Sequence, residues 1–90
     1  MRNLKQTTQY KKDLKKIRNN PKKAQALFSV LDKLMREDEL PTEYKPHPLT
    51  GNYSGFMECH VLNDFLLIWL DEKTGDILLV RLGSHSELFG

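Results

Sequence analysis

Six apolar residues stand in an unbroken row from Phe65 to Leu70, and no feature of this 90-residue chain constrains its fold more tightly. The row is far too short to cross a bilayer, which takes roughly 20 apolar residues in a helix. It also lacks the alternation of a strand with one wet face. A central strand covered on both sides fits it best. Ile77–Leu82 reads in a similar way. Between residues 56 and 61 the pattern does alternate, with Phe56, Glu58 and His60 on one face and Met57, Cys59 and Val61 on the other. The links Leu62-Asn63 and Asp71–Gly75 are short and carry turn residues. The three segments are therefore expected to form an antiparallel meander.

Upstream the period changes. Thr7 or Thr8 can cap a helix on which Tyr10, Leu14 and Ile17 form one apolar stripe. Asn19-Asn20-Pro21 ends it, and Pro21 suits the first turn of the next helix. Ala24, Leu27, Phe28, Leu31, Leu34 and Met35 keep helical spacing up to a stop near Leu40-Pro41. Residues 41–55 carry Pro41, Pro46, Pro48, Gly51 and Gly55 and are expected to form an ordered loop. The fold class that follows is α+β: an N-terminal helical hairpin packed on one face of a small twisted antiparallel sheet. The other face, or its rim, is left open to a ligand. Arg2–Gln6 can add an edge strand. An apolar content of 39% supports one modest core, so residues 1–90 read as one domain. No apolar stretch near the start resembles a signal-peptide core. Cys59 is the one cysteine and has no internal partner. Both points fit a cytoplasmic, reducing setting and no membrane.

Net charge is only +2, but it is unevenly placed: residues 1–46 sum to +6 and residues 47–90 to −4. The first 23 residues alone carry +8, with Lys11, Lys12, Lys15 and Lys16 on the first helix. Such a face can bind phosphate through counterion release, or it can simply keep a small protein soluble.

All three histidines fall in the sheet half. His47 is clamped between Pro46 and Pro48, which favour extended geometry. His60 shares a strand face with Glu58, and Asp64 lies across the short turn. Arg81 is near the end of the last strand. Ser84 and Glu87 have the spacing of a capping box, which puts His85 in the first turn of a short helix. There its backbone N–H groups could face a phosphate. Taken singly, each is an ordinary surface residue; Glu58 in particular reads as a solvated partner for a lysine. A metal site has little support, because the potential ligands are scattered and lack H-x-x-x-H or C-x-x-C spacing. No nucleotide-loop or serine-hydrolase motif is present, and no cofactor is expected. Together the residues suit metal-free RNA cleavage. That chemistry needs a base for the ribose 2′-OH, an acid for the 5′-oxygen and a cation on the phosphate. Histidine can serve either proton role, and arginine binds phosphate bidentately.

Four stretches then carry a resemblance: His47-Pro48-Leu49 with Gly51, Glu58-Cys59-His60-Val61, Asn63-Asp64, and Arg81-Leu82-Gly83-Ser84-His85-Ser86-Glu87-Leu88-Phe89. The chain resembles the YafQ branch of the RelE/ParE toxin superfamily, in motif detail over residues 44–90 and in layout before that. The resemblance implies a microbial-ribonuclease-like fold and the toxin of a type II toxin–antitoxin pair. Such a toxin cuts mRNA on the ribosome and is silenced by an antitoxin, forming a hetero-oligomer with it and a monomer when free. Carried over by position, His47, His60, Asp64 and His85 would be catalytic. His85 would be the acid and Asp64 or His60 the base. Arg81 would hold the phosphate and Phe89 would place the base or the terminus. The basic helices would touch ribosomal RNA or antitoxin. Met57 departs from the branch, whose members commonly carry arginine there; on the alternation above it faces the helices. The competing readings are a topoisomerase-directed toxin of the same fold, which would not need three histidines on one surface, and a binding protein without nuclease activity.

Overall fold

The structure, a computed structural model, describes residues 1–90. The elements run β1 (Leu4–Gln6), α1 (Thr8–Lys15), α2 (Pro21–Met35), β2 (His47–Pro48), β3 (Met57–Leu62), β4 (Phe65–Asp71), β5 (Ile77–Gly83) and α3 (His85–Phe89). Helix α1 starts at the expected threonine cap and α2 has the expected Pro21 in its first turn, while Asn20, read from sequence only as part of the stop of the first helix, caps α2. Thr7 Oγ1 accepts from Tyr10 N–H and Asn20 Oδ1 from Lys23 N–H, with Pro21 in the first turn. Helix α1 stops before its apolar stripe does, and α2 stops with its stripe at Met35, short of the stop expected near Leu40-Pro41. Ile17 is buried in the turn after α1, and α2 gives way to Glu37 in the left-handed region, φ 61°.

The sheet has five strands in the order β1-β5-β4-β3-β2. The meander β3-β4-β5 is antiparallel as expected, but the sheet as a whole is mixed, because β1 lies parallel to β5. Tight turns impose antiparallel pairing only on neighbours in sequence; β1 and β5 are joined through the rest of the chain, so no turn dictates their direction. The proline-flanked loop also supplies a strand, β2, which pairs His47 with Glu58.

The β4 row is the centre of the molecule, as its apolar continuity requires. Phe65, Leu67 and Trp69 face the main core with Tyr10, Leu27, Val30 and Leu34 of the helices. Helix α1 packs chiefly on β5, and α2 on β3. Leu66 and Ile68 face the other way, into a smaller cluster with Leu88, Tyr53, Phe56 and Val80. The second sheet face is thus covered at its centre by α3 and the loop before β3, and only its rim is open.

Two irregularities set the polar groups. The β4–β5 register shifts between Ile68 and Trp69, leaving Val80 unpaired. Ile77 and Leu79 face the main core, so regular alternation would send Arg81 there too. The bulge turns Leu82 inward instead and Arg81 to the opposite face. A second shift, at Val61, follows His60 on β3. Beyond β1 the edge of β5 would be bare. Helix α1 closes it: Thr7 Oγ1 donates to the Val80 carbonyl, and Asp13 Oδ2 accepts from the Leu82 N–H at 2.9 Å.

Candidate active site

The pairings of the sheet align the polar residues in two rows on the second face. One runs His47, Glu58, Ile68, Arg81 across β2 to β5. The other runs His60, Leu66, Gly83, with Asp64 in the β3–β4 turn beside it and His85 just past the end of β5.

Asp64 and His85 form a dyad. Asp64 Oδ1 is 2.8 Å from His85 Nδ1 and also accepts the His85 backbone N–H at 3.0 Å. A carboxylate can only accept, so His85 carries its proton on Nδ1 and presents Nε2 outward. These two bonds, the backbone one first, hold the Asp64 carboxyl below its ordinary range. The capping box of α3 forms in full: Glu87 N–H donates to Ser84 Oγ and Ser84 N–H to Glu87 Oε1. A phosphate was expected at this end; the N–H groups of Ser84, His85 and Glu87 are instead taken by the chain's own side chains.

His60 stands beside the dyad, its ring 5.7 Å from that of His85. Its Nδ1 lies 3.3 Å from the Asn63 carbonyl, which directs the proton there and leaves Nε2 as acceptor. His47 Nδ1 is 2.7 Å from the Lys45 carbonyl, and its Nε2 is 3.2 Å from Glu58 Oε1. The carbonyl forces a proton onto Nδ1. The bond to Glu58 then needs one more, held by either partner.

Glu58 is the residue that sequence reasoning misplaced. It is 3% exposed, not solvated, and its Oε2 has no partner in the chain. Its alternation with His60 put it on the right face; its burial by β2 was not visible, since β2 itself was read as loop. Ligating atoms of Glu58, His60 and His85 lie within 4.8 Å of one another, so the fold gathers donors that are scattered in sequence. One carboxylate oxygen and two imidazole nitrogens suit Zn²⁺ or Cu²⁺. Closing round an ion at roughly 2.0–2.2 Å would draw them nearer together.

Arg81 is engaged from behind. Its Nε is 2.9 Å from Asp13 Oδ2 and its Nη2 3.4 Å from Oδ1. Burial pushes the Asp13 carboxyl up, but Arg81, the Leu82 N–H and Gln9 outweigh it and hold it below the usual range. Asp13 was not singled out from sequence, where it is one acid in a basic helix. Phe89 is 47% exposed, with its ring 6.4 Å from His85. Lys11, Lys12, Lys15 and Lys16 occupy the outer side of α1; only Lys16 approaches α3, at 3.7 Å from Glu87. Met57 packs against the main core, as its alternation predicts.

Residues 2–90 match the family described as the bacterial toxin of type II toxin–antitoxin system, YafQ. The chain is 36% identical to the mRNA interferase toxin YafQ of Escherichia coli K12, over 99% of this chain and 97% of that one. Among solved structures it is similar to a metal-bound toxin from Helicobacter pylori, with 40% identity, TM-score 0.88, and coverage of 99% of this chain and 100% of that one. It is likewise similar to a chain of the E. coli DinJ–YafQ toxin–antitoxin complex, with 32% identity, TM-score 0.87, and coverage of 99% and 98%.

Proposed function

This chain belongs to the YafQ family of type II toxin–antitoxin toxins, and on that footing we propose that it is a single-domain mRNA interferase that cuts mRNA on the ribosome by side-chain acid–base chemistry, without need of a metal. The observation that carries the reading is the Asp64–His85 dyad beside His60, with each imidazole held in a defined tautomer.

His60 Nε2 would take the proton from the ribose 2′-OH. The 2′-oxygen then attacks phosphorus, and the P–O5′ bond breaks. His85, protonated and paired with the Asp64 carboxylate, would give its Nε2 proton to the leaving 5′-oxygen. The products are a 2′,3′-cyclic phosphate and a free 5′-OH. Asp64 then orients His85 rather than acting as base, because its Oδ1 is already occupied by two donors. Arg81 would balance charge on the phosphate with N–H groups that Asp13 leaves free. His47 would hold the Glu58 carboxylate, and with it the wall of the site. The three donors are set wide enough to engage one substrate through hydrogen bonds. A metal bound to Glu58, His60 and His85 would occupy both working nitrogens and so compete with this chemistry.

The partners follow from the same reading: mRNA and ribosomal RNA for the basic helices, and a cognate antitoxin that silences the toxin, as DinJ is found in complex with YafQ. No helix is long and apolar enough to cross a membrane.

The test is cell-free translation with the purified chain, followed by primer extension on the mRNA, beside His85→Ala and beside a parallel translation reaction with a chelator selective for zinc and copper. New in-frame 5′ ends that vanish in the variant are expected. Intact mRNA would sink the nuclease reading and move the weight to a binding or topoisomerase-directed role. Loss of cleavage to chelation at magnesium levels that still support the ribosome would sink the metal-free part alone.

A further inference from the structure

We propose that Asp13 is a positioning residue of the site: it fixes the Arg81 guanidinium so that one edge of it faces outward as a two-pronged grip on the substrate phosphate. The proposal deepens the ribonuclease reading and rests on it for the identity of the ligand. A guanidinium has two edges that can each meet a pair of oxygens, one made by Nε with a terminal nitrogen and one by the two terminal nitrogens. Asp13 takes the first. Its Oδ2 accepts from Arg81 Nε at 2.9 Å and its Oδ1 from Nη2 at 3.4 Å. Nη1 and the other N–H of Nη2 form the second edge and are left free by Asp13. The charged guanidinium is favoured by Asp13 first and after it by Tyr53, which belongs to the small cluster of the second face.

Asp13 can hold a partner still because it is itself held. Its side chain is 1% exposed, against 20% for Arg81. It also accepts from the Leu82 N–H at 2.9 Å and from Gln9 Nε2 at 3.2 Å. Leu82 is the residue after Arg81, so one carboxylate binds both the arginine head and the backbone beside its root. The bulge between Ile68 and Trp69 sets the direction of that root. The long stem between root and head, which is otherwise free to turn through many rotamers, is thus fixed at both ends.

The fold does not by itself call for a carboxylate here. A neutral acceptor would satisfy the Leu82 N–H, and a buried ion pair is often no more stabilising than an apolar pair of similar volume. What the carboxylate adds is direction. Its charge cancels that of Arg81 at a distance, so the pair attracts an RNA strand only weakly. At contact, two parallel N–H groups match two phosphate oxygens, and little rotamer freedom is lost in making the bonds.

The experiment is a double-mutant cycle on the whole chain: wild type, Asp13→Asn, Arg81→Met and both together. The probe is an RNA trinucleotide with 2′-O-methyl groups, which binds without being cut. Asp13→Asn keeps an oxygen for the Leu82 N–H but sets an amide N–H against Nη2, which opens the fork. It should weaken binding about tenfold, the usual worth of a hydrogen bond to a charged group. Arg81→Met should weaken it at least as much, and adding Asp13→Asn to Arg81→Met should cost nothing more. Arg81→Lys keeps the charge but not the fork, and should bind no better than Arg81→Met. In ¹⁵N spectra the Arg81 Nε–H should exchange with solvent faster in Asp13→Asn than in the wild type, while the Leu82 amide stays protected. The proposal is overturned if Asp13→Asn binds like wild type, or if it costs the same with and without Arg81, which is what a role in the fold alone gives. It is equally overturned by loss of Leu82 protection along with the Nε–H, by full binding in Arg81→Lys, or by equal affinity of wild type and Arg81→Met. None of these results needs cleavage, so failure of the nuclease reading shows separately, in the translation assay.

Discussion

Asp64 and Asp13 are both carboxylates held in the charged form by hydrogen bonds, yet a substitution at each should be felt in a different quantity. Asp64 is exposed, and both of its hydrogen bonds come from His85 at the start of α3. Asp64→Asn removes the charge that supports the imidazolium and can reverse the Nδ1–H bond by presenting an amide N–H. In the translation assay its cleavage rate should fall by about 10²–10⁴-fold, the usual worth of an acid–base group, with an unchanged thermal midpoint. Asp13 is buried and serves two donors, the Arg81 guanidinium and the Leu82 N–H. Asp13→Ala orphans both and should cost about 3 kcal/mol in chemical denaturation. Its effect on pH dependence has a definite sign. The folded carboxyl titrates below its unfolded value of 3.8, so its stabilisation is complete above about pH 4 and is lost as pH falls through the lower folded value. Wild type should therefore lose stability on acidification from pH 4 towards 2 more steeply than Asp13→Asn. Equal slopes would mean that the Arg81 pairing contributes nothing to folding.

The same contrast appears among the elements. Helix α3 has five residues, too short to stand by itself, and it persists because its caps and Leu88 hold it to the sheet. Ser84→Ala removes half the capping box, at a cost of about 1 kcal/mol. Since α3 carries His85 and Phe89, amide exchange over residues 86–90 should accelerate and cleavage should fall, while the core strands keep their protection. This helix was readable in advance because its signal is local: Ser84, Glu87 and the apolar residue between α3 and the sheet are all within a few positions. The three meander strands were readable for the same reason, through apolar runs and short turns. Strands β1 and β2 were not, or only as an option, because segments of three and two residues are too short to show a period and are fixed as strands by their pairing with β5 and β3. The bulge that frees Arg81 from the core face was equally hidden, since it depends on the register between Ile68 and Trp69. Glu58 shows the consequence at the site. Its strand face followed from alternation with His60, but its burial required β2, and so its part in the cluster could be seen only in three dimensions.

At the scale of the whole molecule, charge and chemistry occupy different sides of the fold. The +8 of the first 23 residues is carried largely by α1 and the start of α2, while the catalytic candidates gather round the rim of the opposite sheet face, which itself holds Glu58 and Asp64. The site has one nearby guanidinium, and that is already shared with Asp13. A site with so little positive charge of its own gains little from long-range attraction of an RNA strand, so affinity must come from the helices. Lys11, Lys12, Lys15 and Lys16 are free of the fold except for the loose Lys16–Glu87 pair at 3.7 Å, exposed on both sides. Changing all four to glutamine should therefore leave the melting temperature nearly unchanged. It should instead weaken sedimentation with ribosomes and lower the slope of log affinity against log salt, by about one for each lysine that meets a phosphate. Cleavage by the variant should recover at low ionic strength, where the remaining basic residues suffice, and fail at physiological salt. His85→Ala should do the reverse: ribosome association with an unchanged salt slope, and no cleavage at any salt. If the lysine variant keeps both its slope and its cleavage, α1 does not face the ribosome, and its charge serves another partner, the antitoxin first among them.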